Sequence, residues 1–567
     1  MATTLPRNAQ VAEQFDLLAD LLELEGEQQF RVLAYRRAAD QIRSAAGPIA
    51  ELALEGEAKN LPGIGKTIES KIVQIVETGE IEALTKRKAR IPAGVAEFLR
   101  LPALGPKTAR RIWQELGITT MEDLRKAAEA ERLRSLPGLG AKTEERILRA
   151  LAEKPREKRP LLAKALPAVQ AVVEVLRDHP ASNEVSEAGS VRRRTETVKD
   201  LDIIATASDP AALTEYFTKL RWVAEVKAHG KTKATVLSHD GLVFDLRVVP
   251  PEAYGNLLQH FTGSKRHNVE LREDAVRRGF SVSEYGVKEV ESGEVFTART
   301  EEELYERLGY QWIPPELREG GGELAAARKG ELPTLVELSD LRGDLHMHTT
   351  WSNDGKNTLE EMAEAATARG YDYIAITDHA HYLREGRLHA QWEEIGALED
   401  RLAPLQILRG VEVSIRADGS VDLPDGELAE CDWVVASLHS AFDKSPTERL
   451  LAAMENPHVD CIGHMTARKL NRRDGADIAL DRVFEKAVET GTFVEINSQP
   501  DRLDLRDTHA RAAAEAGVRI VVNTDSHEVG ALDFAELGIA LARRAWLTKE
   551  QVVNTRTWKQ IEKLRGR

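Results

Sequence analysis

Cysteine is nearly missing: the 567 residues hold two, Cys431 and Cys461. So few thiols exclude a disulfide framework and a cysteine-built zinc site, and they suit a reducing interior. The opening MATTLPRNAQ has no apolar targeting core, and no run of about 18 apolar residues could span a bilayer. The expected setting is therefore cytoplasmic, without membrane attachment. An apolar share of 42% describes a soluble globular chain, and its length calls for several domains.

Acidic excess describes the whole chain but not all of its parts. The formal net charge is -15. Residues 81–160 hold 19 Lys+Arg against 11 Asp+Glu, a local +8, which leaves -23 for the remainder. Such asymmetry suits one region facing a polyanion while another gathers acids around metal ions. A solvated helical face could carry the same basic excess, so charge alone does not decide.

An internal repeat does more. LPGIGKTIESKI (61–72), LPALGPKTARRI (101–112) and LPGLGAKTEERI (136–147) share Leu-Pro, glycine, lysine, threonine and a closing isoleucine. Proline and glycine make a tight turn whose bare N–H groups can approach an anion, and the next helix adds its positive N-terminal end. A plain helix-helix connector is the alternative, more so for any single copy than for the set. The repeats resemble helix-hairpin-helix motifs, which grip nucleic-acid phosphates without reading bases. That resemblance implies DNA contacts at Gly63, Gly65, Lys66, Gly105, Lys107, Gly138, Gly140 and Lys142. The stretch YRRAADQIRSA through LPGIGKTIESKI is also similar to the amino-terminal lyase domain of the DNA polymerase beta family. On that similarity Lys71 takes the Schiff-base position, Arg31 and Tyr35 match family positions with Tyr35 on DNA, and Thr67 replaces a supporting lysine.

GSVRRRTETVKDLDIIA (189–205) packs a turn, three arginines and a DxD pair into one span. LDIIATA reads as a strand, so Asp200 and Asp202 project to one face. Two adjacent carboxylates repel unless a divalent cation lies between them. GLVFDLRVV, a second strand-like run, can bring Asp245 to complete an oxygen cage for magnesium. Gly189 and Ser190 offer N–H and hydroxyl donors to the outer phosphates of a triphosphate, and Arg193 and its neighbours neutralise their charge. The pattern, with Gly189 eleven residues ahead of Asp200, resembles the nucleotidyltransferase superfamily. With the repeats before it and YGNLLQHFTGSKRHN (254–268) after it, the similarity narrows to family X DNA polymerases over residues 1 to about 318. It implies a nucleotide pocket lined by His260, Phe261, Thr262, Gly263, Ser264 and Asn268. His260 stands where the family commonly has a sugar-gating tyrosine.

GYQWIPPELREGGGELAAARKGELP (309–333) reads as a linker. Beyond it, six apolar runs end in metal-type ligands: His346, His348 and Asp354; His379; Glu412; His439; His464; and Asp525 with His527. Strand then ligand, with helices between, is the form of a β/α barrel whose strand ends converge on one site. Neutral imidazoles with carboxylates suit manganese, zinc or iron(II), about three ions, and phosphoester hydrolysis. The motifs resemble the PHP (polymerase and histidinol phosphatase) domain, all nine positions matching its ligand pattern. Arg468 matches a basic phosphate-contacting residue after the Gly-His pair, while Met465 and Ala467 replace commoner proline and glycine.

The expected organisation is multidomain α+β and α/β. It comprises a helical lyase-like domain (1–85), helical fingers with two helix-hairpin-helix motifs (86–155), a nucleotidyltransferase palm (156–250), a thumb (251–318), a linker (319–335) and a distorted β/α barrel (336–567). The resemblance implies a family X DNA polymerase that fills short gaps with Mg2+ or Mn2+. The barrel is then a metal-dependent 3′–5′ exonuclease or phosphoesterase, and lyase activity resides at the amino terminus. Gapped or nicked DNA and dNTPs are the expected partners of a monomer. Two alternatives stay open: a metallophosphoesterase whose polymerase half only positions DNA, and a non-catalytic DNA-end scaffold.

Overall fold

The computed structural model describes residues 5–45, 47–61, 63–101, 104–136, 139–152 and 158–565. The chain divides into two compact units, Met1–Lys158 with 179–183 and 207–248, and Arg159–Asp178 with 184–206 and 249–567. Among the described residues, no helix is long and apolar enough to cross a membrane.

The first unit is helical up to Ala152. Its core joins the three repeats, burying Ile64, Ile68 and Ile72 of the first, Leu104 and Ile112 of the second, and Leu139 and Ile147 of the third. Each repeat closes the same turn: Ile64 N donates to Leu61 O (3.1 Å), Leu104 N to Leu101 O (3.0 Å) and Leu139 N to Leu136 O (3.0 Å). The helices Lys66–Thr78, Pro106–Leu116 and Ala141–Ala152 follow directly. A Cβ at Gly65, Gly105 or Gly140 would meet nothing within 4 Å, so space beside these helix starts is open and packing does not demand the glycines.

Strands are numbered in chain order. β1 (Ser182–Glu187) and β2 (Leu201–Ala207) flank the Gly189 turn. β3 (Val223–His229), β4 (Lys233–Ser238) and β5 (Val243–Val248) form an antiparallel ladder in the first unit, with Thr235 opposite Asp245. Along β5, Phe244 and Leu246 are buried while Asp245 is half-buried, the alternation expected of a one-sided strand.

In the second unit a small antiparallel sheet, β6 (Phe280–Ser283), β7 (Gly286–Glu289) and β8 (Val295–Phe296), packs with the helices Lys265–Arg277 and Glu301–Arg307. Seven parallel strands follow: β9 (Gly343–Met347), β10 (Tyr373–Ile376), β11 (Gln406–Ser414), β12 (Trp433–Ser437), β13 (Cys461–Gly463), β14 (Phe493–Asn497) and β15 (Ile520–Asn523). Neighbours in sequence are neighbours in the sheet, and a parallel bridge from Met347 to Ser526 brings its two edges together. Helices between strands cover the outside of this nearly closed barrel. All residues of β9, β10 and β12–β15 are buried, as expected of strands covered on both faces.

The segment read as a linker is folded. Tyr310, Ile313, Leu317, Ala327 and Leu335 enter an apolar core with Tyr305 and Leu271. Glu323 is buried and its Oε1 lies 2.7 Å from His267 Nδ1. Glycine and charge suggested a spacer, but charges that find buried partners lose their need for water.

Candidate active sites

Nine side chains meet at the C-terminal end of the barrel strands. His346 lies in β9 and Glu412 in β11; the others stand on the turns that leave β9, β10, β12, β13 and β15. Glu412 is the hub. Its carboxylate lies 2.7 Å from His379 Nδ1, 3.2 Å from both His439 Nε2 and His464 Nε2, 3.6 Å from His346 Nε2 and 3.7 Å from His348 Nε2. Asp525 Oδ1 sits 3.2 Å from His348 Nε2, and Asp354 Oδ2 is 3.2 Å from His379 Nε2 and 3.4 Å from His527 Nε2. Three groups among them have donor atoms within 4.8 Å of one another: His348, Asp354, His379 and His527; His346, His348 and Glu412; His379, Glu412 and His439.

The donors fit divalent metal. His346 Nε2 and His348 Nε2 are buried without a hydrogen-bond partner, a costly state unless a cation takes the lone pair of each. Ligands each about 2.0–2.2 Å from a shared ion stand roughly 3–3.5 Å apart, comparable to the spacings here. Burial, then the neighbouring His527, pushes His348 down to about 3. Burial and Arg502 likewise hold His464 at about 4. Both imidazoles are therefore neutral and ready to ligate at physiological pH.

Residues outside the expected set hold the ligands in place. Glu495 in β14 is fully buried; its Oε1 lies 2.7 Å from His346 Nδ1, and it accepts from the His464 N–H (2.8 Å) and the Asn523 amide (3.0 Å). That contact leaves His346 Nε2 free to face the centre. Buried Asp378 accepts from the Thr349 N–H and hydroxyl and the Gln391 amide, tying down the loop after β9. His464 and Asp525 adopt φ +26° and +52°, on the left-handed side of the backbone map. Asp378 stands just past the end of β10, in AITD, and that position was the available signal; Glu495 lies in the middle of β14, in FVEIN, where a lone carboxylate inside an apolar run was the signal.

Arg468 departs from expectation. Its buried guanidinium pairs with Glu196 (Nη1 to Oε2, 3.1 Å) and donates to Leu503 O, while its Nε has no hydrogen-bond partner.

In the nucleotidyltransferase segment of the second unit, Gly189 adopts φ +64° and touches Asp202. A Cβ there would lie 2.2 Å from Asp202 Oδ2, so only glycine can start this turn. Ala188 N donates to Asp202 O at 2.8 Å, which fixes the carboxylate beside the turn, and Ser190 follows on the short helix Gly189–Arg192. Asp200 and Asp202 are both half-buried. In the first unit Asp245 Oδ1 accepts the Thr235 hydroxyl at 2.5 Å. Arg193, expected on phosphate, donates to Glu319 Oε1 (2.9 Å) and Thr262 O (2.5 Å). Arg192 and Arg318 share Glu301. Burial opposes its charge, but these guanidiniums hold the Glu301 carboxyl at about 2. Asn268 links Gln259 (2.8 Å) to His260 O (2.8 Å), and Arg272 Nη2 lies 3.0 Å from His260 Nδ1. Phe261 stacks edge-on to His260, while Gly263 (φ +68°) and Ser264 lead into the next helix, where the Ser264 hydroxyl caps His267 N.

In the amino-terminal helices Lys71 is half-buried, and its amine is held below the usual lysine range by burial, then by Arg31 and Arg87. Lys66 and Lys107 are placed in the first turns of their helices. Gly63 adopts φ +78°. Tyr35 packs into the core, 8% exposed, with its ring 6.2 Å from that of Phe15. Gly138 and the Lys142 side chain lie outside the described residues.

Fold and sites together define a DNA polymerase joined to a metal-binding phosphoesterase barrel. Family models match in the same order: a helix-hairpin-helix domain at 6–81, a SAM-like helix-hairpin-helix tandem at 95–153, a DNA polymerase beta thumb at 257–319 and a PHP domain at 344–499. The chain is 40% identical over 561 residues to the DNA polymerase/3′-5′ exonuclease PolX of Bacillus subtilis (strain 168), covering 96% of this chain and 97% of that relative. The barrel alone is 31% identical over 236 residues to a probable phosphatase of Thermoanaerobacter sp. (strain X514), covering 39% of this chain and 94% of the relative. A probable phosphatase of Caldanaerobacter subterraneus subsp. tengcongensis is 33% identical over 228 residues, 37% of this chain and 86% of that one. The chain belongs to the bacterial family X DNA polymerases that carry a C-terminal PHP domain.

Proposed function

We propose that this polymerase fills short gaps during DNA repair and that its barrel trims 3′ ends by phosphoester hydrolysis. The nine-ligand cluster with its unpartnered imidazole nitrogens is the observation that most supports the hydrolytic half. Asp200, Asp202 and Asp245 would hold Mg2+ or Mn2+ in the polymerase. The nine barrel residues would hold about three ions, Mn2+, Zn2+ or Fe2+. Bound divalent ions supply charge neutralisation at phosphate oxygens and lower the pKa of water.

The protein's own groups do the positioning. The primer 3′-oxygen attacks the α-phosphorus of a dNTP, the bond to the β-phosphate oxygen breaks, and pyrophosphate leaves. Gly189 N–H and the Ser190 hydroxyl orient the outer phosphates. The open helix starts at Gly65, Gly105 and Gly140 receive DNA phosphates, with Lys66 and Lys107 adding charge. A gap-filling and 3′-degradation time course on one gapped DNA, run separately with magnesium and manganese, tests the proposal. Extension without degradation, or the reverse, removes the corresponding half. The protein acts as a monomer in this reading.

His260 in the sugar-gate position loosens discrimination against ribonucleotides. Incorporation of ribo- and deoxynucleotides at matched concentrations should differ by less than about 100-fold, the selectivity expected of a pocket that only weakly rejects an added hydroxyl. A deoxy preference far above this would refute the loosening.

Lys71 acts as a Schiff-base lyase nucleophile on incised abasic sites, because its depressed pKa raises the fraction of free amine. Borohydride should trap the intact protein on such DNA, and Lys71→Ala should remove at least about nine-tenths of the adduct if this amine is the principal nucleophile. Undiminished trapping in the variant would assign the chemistry elsewhere.

A further inference from the structure

The segment between the short helix Gly189–Arg192 and Asp200 is held by residues of the barrel at two points. Glu196 pairs with Arg468, on the loop after β13. Three residues earlier, the Arg193 carbonyl accepts from Arg544 Nη1 at 2.8 Å. Arg544 is the last residue of the barrel helix Ala535–Arg544, and its side chain is 9% exposed. The same Nη1 donates to Glu319 Oε1 (2.9 Å), and Nη2 donates to Asp507 Oδ2 (2.6 Å). Burial works against the Arg544 charge, but Asp507 and Glu319 outweigh it.

Glu319 Oε1 is shared. Arg193 Nε also donates to it at 2.9 Å, and Arg193 Nη1 donates to Thr262 O at 2.5 Å. Those two bonds fix the plane of the Arg193 guanidinium, while its Nη2 donates to no described residue. A long cation clamped along one edge has already lost the rotamer freedom it would otherwise give up on meeting an anion. The clamp is only as firm as Glu319, whose side chain is 35% exposed and is itself tied to the barrel through Arg544 and Asp507. A fork is needed there, because one side chain must serve a carbonyl and two carboxylates, which a lysine cannot span. Neighbouring Arg543 makes an ordinary junction contact instead. It reaches Glu316 (2.7 Å) and Val336 O (3.1 Å) and does not touch the turn.

We infer that Arg544, a residue of the barrel, is a positioning residue of the polymerase: by holding Glu319 and the Arg193 carbonyl it presents the Arg193 guanidinium to the outer phosphates of the incoming nucleotide. The inference rests on the polymerase reading, in which Arg193 meets the triphosphate. The barrel then contributes to nucleotide binding without supplying any group that touches the nucleotide.

Primer extension on gapped DNA by the full-length protein, with DNA saturating and the dNTP varied, tests this. Arg544→Ala should raise the dNTP KM roughly 10-fold and leave DNA affinity and 3′-degradation within twofold of wild type. Arg544→Lys, which restores the charge but not the fork, should fall between the two. Arg193→Ala should raise the same KM at least as far, and the double variant no further than Arg193→Ala alone, since Arg544 acts only through Arg193. A KM within twofold of wild type in Arg544→Ala would overturn the inference, as would additive effects in the double variant. So would an equal rise in Arg543→Ala, which would make general loosening of the junction the cause. Should Arg544→Ala fail to fold, Glu319→Gln breaks the same link at a half-buried position: a comparable rise in KM supports the inference and an unchanged KM overturns it. A wild-type protein that extends no primer would instead overturn the polymerase reading.

Discussion

Asp202→Asn should abolish gap filling, by at least about 1,000-fold in single-turnover extension, and leave 3′-degradation within twofold of wild type. The substitution keeps the shape of the side chain and removes one negative charge. Shape matters at this position, because the carboxylate rests against Gly189, where a Cβ would lie 2.2 Å from Oδ2. The turn that is to hold the triphosphate and the acid that is to hold metal are therefore one packed unit. Asparagine preserves that packing, so the loss reports charge. Gly189→Ala would confuse the two effects through its strained φ of +64°. Equal loss of extension and degradation in Asp202→Asn would mean that the halves do not act at separate sites. Undiminished extension would remove Asp202 from the polymerase mechanism.

The candidate ligands were legible for a local reason. In the barrel each metal-type residue lies at or just beyond the end of an apolar run, and parallel strands deliver such ends to one side of a sheet. The nine residues could thus be named before any distance was known, as could the three turns, whose Leu-Pro and glycine spacing is a backbone requirement. What escaped was pairing across long separations. Glu196 and Arg468 stand 272 residues apart, and nothing in either neighbourhood states that one satisfies the other. The partners of Arg193 and Tyr35 were hidden for the same reason: a charge or a ring has local character, but what it meets is set by the fold. Glu495 is intermediate, since FVEIN marks a buried strand without saying that its carboxylate faces an imidazole. The 319–335 segment misled because composition measures average solvation, whereas Arg318 and Glu323 beside and within it are each fully buried against specific partners.

Glu412→Gln should have the opposite effect to Asp202→Asn. Degradation should drop by about 10,000-fold, bound manganese should fall, and primer extension should persist. The reasoning is electrostatic. Glu412 lies within 3.7 Å of five imidazoles and is 1% exposed, and its carboxyl is held well below the usual range: burial opposes the charge, but His439, His379 and His346 outweigh it. It is therefore the anion against which cations at two of the three donor groups are balanced. Glutamine matches its volume and can still accept a hydrogen bond, so the barrel keeps its packing; what it loses is the charge that offsets desolvation of a dication. Peripheral Asp354 is a useful contrast. It is half-exposed and serves only one of the three groups, so Asp354→Asn should retain more metal than Glu412→Gln. Metal analysis with both variants, alongside degradation, separates a hub from a rim ligand. If Glu412→Gln keeps its full metal content and its activity, the cluster is not organised around this carboxylate.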